Sequence, residues 1–278
     1  MLRIQQNPQR GLRSDAHRPG MRIQILVSSP QGSVFRRMDL TDAVAVVTGA
    51  SKGLGAQLSR MLVDQDATVY GLARSTDRLD ALQNHLGPAF HPVSCDVRKE
   101  DRVEAAFDTV DAEAGRLDVL INNAGLGQFG PVDDLDTEAF DVQMDTNVRG
   151  VYLCTREAVP TMRAQNNETG FGGHIVNIAS IAGLLGNPNI SAYNASKFAV
   201  RGFSEAVMKE VREDGIRVTC LYPGSVDTSF FDVASTEMTE NPLQPEDVAA
   251  TVQHVLESPT NHLISEVVLR PLRPHREE

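Results

Sequence analysis

The chain reads as an α/β protein: a single doubly wound domain with a seven-stranded parallel sheet and helices on both faces. Three observations predict this. From residue 43 onward, short apolar runs alternate with amphipathic stretches, an order that implies parallel strands joined by right-handed crossovers. Most of the runs are apolar throughout, as strands covered on both faces are. A glycine-rich turn, Gly49 to Gly55, joins the first run to the first amphipathic stretch.

The first strand is expected at 43–48, around Val44-Ala45-Val46-Val47, and the first helix at 53–65, where Leu58 to Leu62 is amphipathic. A second strand, 67–73, leads into a helix at 75–86, and a third, 89–94, into a helix at 99–114. The fourth strand, 117–122, carries Val119-Leu120-Ile121 and precedes a long helix at 137–165. The acidic run Asp133-Asp134-Leu135-Asp136 lies just before that helix, where negative charge suits the helix dipole. Gln165 to Gly173, with Asn166, Asn167 and three glycines, reads as a surface loop. Strand 173–179, helix 191–214, strand 216–221, helix 245–257 and strand 265–269 complete the alternation. Residues 227–244 lack strong periodicity and contain Phe230, Phe231, Met238 and Pro242. They suit either a lid over a substrate or a plain long connection.

At 278 residues the chain can bury one large core. A hydrophobic fraction of 41% and a charged fraction of 23% are ordinary for a globular protein. The formal net charge is −11. Residues 1–37 hold seven Arg and one acid, Asp15, so this arm carries +6 and residues 38–278 carry −17. So acidic a body is a poor general binder of nucleic acid or of an anionic membrane. Bound phosphates would then rely on local backbone and a few placed cations. Cys95, Cys154 and Cys220 are far apart, odd in number and set in apolar surroundings. They read as small buried hydrophobes in a reducing, cytoplasmic compartment, not as a disulfide or a metal site. No apolar run approaches the length of about 20 residues that spans a bilayer. The arm, 1–37, contains one candidate strand, Ile23 to Val27, and no secretory h-region. It could be a transit peptide, or the natural start could be Met38. The favoured reading is a disordered or loosely attached arm without a catalytic role, followed by a catalytic domain at 38–278.

Two motifs carry the chemistry. Thr48-Gly49-Ala50-Ser51-Lys52-Gly53-Leu54-Gly55 reads strand, glycine turn, helix. Glycines there allow a tight turn and close approach of backbone to a pyrophosphate, and the helix N-terminus supplies N–H groups. This is the context of a Rossmann-type dinucleotide turn, with the spacing Gly-x-x-x-Gly-x-Gly. Far downstream, Tyr193 and Lys197 stand four residues apart, on one face of a helix one turn apart. A nearby ammonium favours the phenolate and lowers the tyrosine pKa from about 10. A phenol tuned in this way can exchange a proton with a carbonyl or alcohol oxygen. Ser180, ending the run Ile175-Val176-Asn177-Ile178-Ala179, could bond the same oxygen.

Together these motifs resemble the short-chain dehydrogenase/reductase family over about residues 39–270. The resemblance extends to Asn122-Asn123-Ala124-Gly125, to Asn147 in Asp145-Thr146-Asn147-Val148-Arg149-Gly150, and to Tyr222-Pro223-Gly224-Ser225-Val226-Asp227-Thr228. It implies reversible hydride transfer between a nicotinamide and a carbonyl or secondary alcohol. Tyr193 would be the general acid for reduction, and Ser180 would polarise the carbonyl. Lys197 would lower the tyrosine pKa and hold the nicotinamide ribose. Asn147 would hold a water linking Lys197 to solvent. Gly49, Ser51, Gly53, Leu54 and Gly55 would wrap the pyrophosphate. Asp96, with Val97 beside it, would meet the adenine. Asn123, Ala124 and Gly125 would line the ribose and nicotinamide side, and Asn122 would brace the central strands. Pro223, Gly224, Val226 and Thr228 would lie near the nicotinamide amide.

The second strand ends Ala73-Arg74-Ser75, where an NAD-type protein places an acid for the ribose 2′-hydroxyl. The missing acid, Arg74, Ser75 and the cation Lys52 point to NADP(H). Family members commonly pair the helices here placed at 137–165 and 191–214. Their outer faces are expected to hold Val151, Leu153, Val159, Met162, Phe198, Phe203 and Val207 in a homo-oligomer, dimer or tetramer. His85, His91, His174, His254 and His262 are expected on the surface or in loops. Similarity to 3-oxoacyl-carrier-protein reductases and carbonyl reductases is greatest over 173–224. The C-terminal end lacks the Gly-Gly-rich tail common in the former, which favours a small ketone, hydroxy acid or sugar-like substrate. The alternatives are a non-catalytic dinucleotide sensor on the same fold and, more remotely, an epimerase or dehydratase.

Overall fold

The computed structural model describes residues 27–28, 34–35, 38–228, 230 and 240–273. The chain divides into two units, Met1–Phe35 and Arg36–Glu278. In the first, β1 (Val27–Ser28) pairs antiparallel with β2 (Val34–Phe35). The rest of the expectations for the arm, and most of the segment 227–244, lie outside the described residues.

In the second unit, the apolar runs form β3 (Val44–Thr48), β4 (Thr68–Ala73), β5 (Phe90–Ser94) and β6 (Val119–Asn122). β7 (Gly173–Ile178), β8 (Ile216–Pro223) and β9 (Glu266–Leu269) follow. All seven pair in parallel, in the order β5-β4-β3-β6-β7-β8-β9. The helices between them are α1 (Gly53–Val63), α2 (Thr76–Leu86), α3 (Glu100–Ala114), α4 (Thr137–Met144), α5 (Gly150–Thr169), α6 (Ser191–Val211) and α7 (Pro245–Leu256).

The pleat sends alternate residues to opposite faces. On β3, Ala45 and Val47 join Leu58 and Leu62 of α1 and Val248 and Val252 of α7 in one core layer. Val44 and Val46 join Val103 and Phe107 of α3, Leu153 and Met162 of α5 and Val207 of α6 in the other. Every residue of β3, β6, β7 and β8 is buried, as the uninterrupted apolar runs require.

Four expectations need correction. The helix expected over 137–165 is α4, a π-helical turn at Asp145–Arg149, and α5 in direct succession. A π-turn inserts an extra residue without breaking the helix. α5 also runs on to Thr169 before Gly170 caps it with φ 74°, so the expected loop at Gln165 to Gly173 is only its last residues. His174 is a fully buried residue of β7, with Nε2 2.7 Å from Thr219 Oγ1. A histidine inside an apolar strand is buried with it once that strand is central. Val151, Leu153, Met162 and Val207 are core residues, because these faces of α5 and α6 meet the sheet. The large apolar side chains exposed on α4, α5 and α6 are instead Phe140, Tyr152 and Phe198. The acidic run behaves as expected: Asp136 caps α4, its carboxylate accepting from Ala139 N at 2.8 Å.

Candidate active site

Strand order reverses between β3 and β6, so the loops leaving their carboxyl ends part and open a crevice. Thr48 ties the crevice together. Its hydroxyl accepts from Asn123 N and Ala124 N, each at 3.0 Å, and the Asn123 amide donates back to Thr48 O at 2.9 Å. The glycine turn then enters α1 with Gly49 and Gly53 at φ 67° and 54°, in the left-handed region where glycine is favoured. A side chain at Gly55 would lie 2.2 Å from Gly49 O, so the turn closes only with glycine there. No acid occupies the first turn of α1, and Lys52, at its N-cap, makes no side-chain cap. The N–H groups of that turn thus remain available to an anion. Ser75, the N-cap of α2, likewise makes no side-chain cap.

A cavity of about 650 Å³ follows this crevice. Gly49, Ser51, Lys52, Gly53, Leu54 and Gly55 line its floor. Arg74, Ser75, Asp96 and Val97 line one end, and Asn123, Ala124, Gly125 and Thr228 line the other. The sequence reading assigned all of these to the cofactor. It missed Arg78 and Arg98, which join the Arg74 end, and Leu126, Thr146 and Phe230, which also line the cavity. Arg98 was findable as a cation two residues past Asp96. Its guanidinium grips that carboxylate through Nε at 2.9 and 3.1 Å and Nη2 at 2.6 Å, which holds the Asp96 pKa below the usual range. Pro223 and Gly224 end β8 against Leu269 and Pro271, and Val226 is buried beside them. These three residues do not line the cavity.

Behind Gly125, outside the residues that line the cavity, stand the residues of the second motif. Ser180, in extended backbone after β7, accepts from Ala182 N at 3.1 Å. Its side chain also hydrogen-bonds Tyr193, across from it on α6. Tyr193 and Lys197 are both buried, and the Lys197 Nζ lies 5.6 Å from the centre of the tyrosine ring. Nζ donates to Ile178 O at 3.1 Å. A side chain built at Gly125 would come 3.5 Å from Nζ, which shows how near the cavity wall the ammonium is.

The electrostatics differ from the sequence expectation. Burial pushes the Tyr193 phenol up to about 12, with the Ser180 hydrogen bond pulling the other way. Burial also pulls Lys197 down to about 8. In the protein alone, desolvation is the largest cause of both shifts. Near neutral pH Tyr193 therefore carries its proton, the form a general acid needs.

Asn147 sits on the π-turn and is almost fully buried. Its Oδ1 accepts from Leu126 N, and its Nδ2 donates to Leu126 O and to Ser196 Oγ, all at 2.9 Å. Ser196 in turn donates to Tyr193 O at 2.8 Å. Asn194 pins the segment after Ser180, donating to Ala182 O and Leu185 O at 2.7 Å and accepting from Asn187 N at 3.0 Å. Sequence reasoning passed over Asn194 and Ser196 because their partners lie in other segments. Asn122 braces the strands as expected. Its amide donates to Thr155 Oγ1 and Asn177 Oδ1, and Asn177 donates to Ser204 Oγ.

Among the described residues no helix is long and apolar enough to cross a membrane, and no His/Cys/Asp/Glu group could hold a metal.

Comparison with known proteins agrees with this architecture. The family described as short chain dehydrogenase matches residues 43–239. The chain is 35% identical to the dehydrogenase/reductase SDR family member 11 of Gallus gallus over 249 residues, covering 83% of this chain and 96% of that protein. A 3-ketoacyl-(acyl-carrier-protein) reductase from Brucella melitensis, solved with NADH, superposes with a TM-score of 0.76 at 30% identity, covering 83% of this chain and 96% of the other. A metagenomic short-chain oxidoreductase solved with NADP superposes at 0.73 with 32% identity, covering 84% and 99%. Matches of this length and identity mean that the chain belongs to the short-chain dehydrogenase/reductase family of oxidoreductases.

Proposed function

We propose that the protein is an NADP(H)-dependent reductase of carbonyls and dehydrogenase of secondary alcohols. The observation that carries this reading is the buried Tyr193, one helical turn from the buried Lys197, whose Nζ lies 5.6 Å from the tyrosine ring centre, with the Ser180 side chain near enough to lower the phenol pKa. When bound, the dinucleotide supplies or takes the hydride. The open N–H groups of α1, the close-packed glycines and the cavity beside them fit its pyrophosphate. In reduction Tyr193 gives its proton to the carbonyl oxygen, and Ser180 holds and polarises that oxygen. Lys197, fixed on Ile178 O, orients the ribose and supports the charge left on Tyr193. Asn147 fixes the loop at Leu126 and, through Ser196, the backbone of Tyr193. These contacts support a positioning role beside the water-holding role the family resemblance implies.

The preference for NADP(H) rests on the Arg74 end of the cavity. Arg74, Arg78, Lys52 and the uncapped Ser75 converge there, and the only acid among the lining residues, Asp96, is neutralised by Arg98. The test is a panel of ketones and alcohols assayed in both directions with both nicotinamides. Efficient turnover with NADPH but not NADH is expected, and equal efficiency with the two would overturn the preference. No turnover of any member would favour the dinucleotide sensor.

The exposed Phe140, Tyr152 and Phe198 support a homo-oligomer, dimer or tetramer. Light scattering at micromolar concentration should give a multiple of the 30.3 kDa chain mass, and a monomer mass would end the idea. The three free, buried cysteines support a cytoplasmic location, which fractionation of cells producing the tagged chain would test.

A further inference from the structure

The substrate end of the cleft has a chemical character of its own. Three rings meet there. Phe129 lies 5.4 Å from Tyr193 between ring centres, Phe230 lies 5.7 Å from Tyr193, and the two phenylalanines lie 6.4 Å apart. A side chain at Gly127 would come 2.6 Å from the ring of Phe129 and 2.9 Å from that of Phe230, so glycine lets the rings close together. The loop that carries Phe129 is tied down at alternate residues. Leu126 is held by Asn147, Gln128 N donates to Gln143 Oε1 at 3.1 Å, and Gly130 N donates to Asn189 O at 2.7 Å. Gln143 is itself fully buried and donates to Ala139 O at 3.0 Å. Phe129 is thus a preorganised apolar wall beside the proposed proton donor.

Charge tells the same story by its sign. The described segments beside these rings are the loop after β6 and the stretch from Ser180 to α6, with Phe230 beyond β8. No Lys or Arg occurs in residues 117–148 or 164–196, which contain the two loops, or in residues 218–228 that end β8 and follow it. The loops carry acids instead, among them Asp133, Asp134, Asp136 and Asp227. Lys197 is buried on Ile178 O, Arg201 is paired with Glu266, and Arg270, beside Gly224, is exposed past β9. A carboxylate bound against Phe129 would lose water with no Lys or Arg in the loop that carries that ring, which costs free energy. An aromatic or aliphatic body would lose nothing of the kind and would gain ring contacts.

We infer that the substrate is an uncharged ketone or secondary alcohol with an apolar, ring-sized body packed against Phe129 and Phe230, and that carboxylate-bearing substrates such as hydroxy acids are rejected. This inference rests on the carbonyl-reductase reading above and narrows it. The test is a matched series: a neutral aryl methyl ketone, the same ketone bearing a para-carboxylate, and the same bearing a para-trimethylammonium, each with saturating NADPH and the full chain. kcat/KM for the neutral ketone should exceed that for the carboxylate by at least about tenfold, the equivalent of one order of magnitude in discrimination. The ammonium form should fall between them, since the surrounding loops are acidic. Phe129→Ala should raise KM for the neutral ketone about three- to tenfold through lost ring contacts, with the NADPH dissociation constant unchanged, and Phe129→Leu should recover most of the loss. Equal or better turnover of the carboxylate, or an unchanged KM in Phe129→Ala, would overturn the inference. Turnover of the carboxylate alone would do so while leaving the hydride-transfer reading intact, whereas turnover of no member would remove both. If Phe129→Ala fails to fold, the charge series on the wild-type protein decides alone.

Discussion

The two ends of the cleft are built from the same kind of element, a loop leaving the carboxyl end of a parallel strand, yet they differ in nearly every other respect. At the β4 and β5 end, exposed cations gather around a surface cavity, with Lys52, Arg74 and Arg78 exposed and Arg98 locked onto Asp96. At the β7 and β8 end, the reactive groups are buried, no Lys or Arg occurs in the loop after β6 or from Ser180 to Ser196, and aromatic rings pack beside Tyr193. In a body that carries −17, cations are concentrated where a phosphate can meet them. Burial does the work at the other end, because low dielectric raises one pKa and lowers the other without any partner charge. An exposed site binds by placing charge, and a buried one reacts by holding groups in the protonation state that the surroundings impose.

The sharpest way to break this comparison is at the buried end. Tyr193→Phe keeps the ring and its packing but removes the proton. Turnover should fall by at least roughly 10²-fold, while dinucleotide affinity, set at the other end, stays near that of the wild type in a fluorescence titration. Near-normal turnover would take Tyr193 out of the mechanism.

At the exposed end, Arg74→Ala should weaken NADPH by roughly ten- to more than hundredfold, since a charge-assisted bond is worth about 1.5–3 kcal/mol. The NADH constant should hardly change, and kcat at saturating NADPH should be kept. An unchanged NADPH constant would mean that Arg74 faces solvent and not a phosphate.

A third experiment probes burial away from both ends. His174 on β7 lies across from Arg217 on β8, and burial, with the nearby Arg217, holds its pKa well below the ordinary value of 6.5. The folded chain keeps this histidine neutral, whereas the unfolded chain takes up a proton below about 6.5. The unfolded state then binds more protons, so stability falls as pH drops below that value, by up to about 1.4 kcal/mol per pH unit for this group. Urea unfolding of the wild type between pH 7.5 and 5.5 should show a steeper loss than His174→Gln. Equal slopes would mean that His174 ionises in the folded protein.

The smallest effect is expected at the arm. A chain beginning at Met38 retains the methionine whose sulfur meets Arg217 Nη2 at 3.7 Å and whose side chain joins the core. Its melting temperature and kcat/KM should match those of the full chain, and loss of activity would give residues 1–37 a role in the site.

Much of this was legible in the residues themselves. Strand–helix alternation, uninterrupted apolar runs and the Gly49 to Gly55 turn determined a doubly wound parallel sheet, because period and apolar length are local properties that burial merely confirms. The spacing of Tyr193 and Lys197 determined that they share a helix face, and the Ala73-Arg74-Ser75 strand end pointed to a cation where an acid would otherwise stand. What the sequence could not determine is the environment of each group. That Tyr193 is raised and Lys197 lowered depends on desolvation by distant segments, and the i, i+4 spacing alone suggested the opposite for the tyrosine. That Asn147 sits on a π-turn and grips Leu126, that Arg98 neutralises Asp96, and that Phe129 and Phe230 close over Tyr193 are long-range pairings or shapes of a loop. Only the packed chain decides them, because a side chain's charge state and partners follow from what surrounds it in space, and that information is spread over segments that are neighbours only once the sheet has formed.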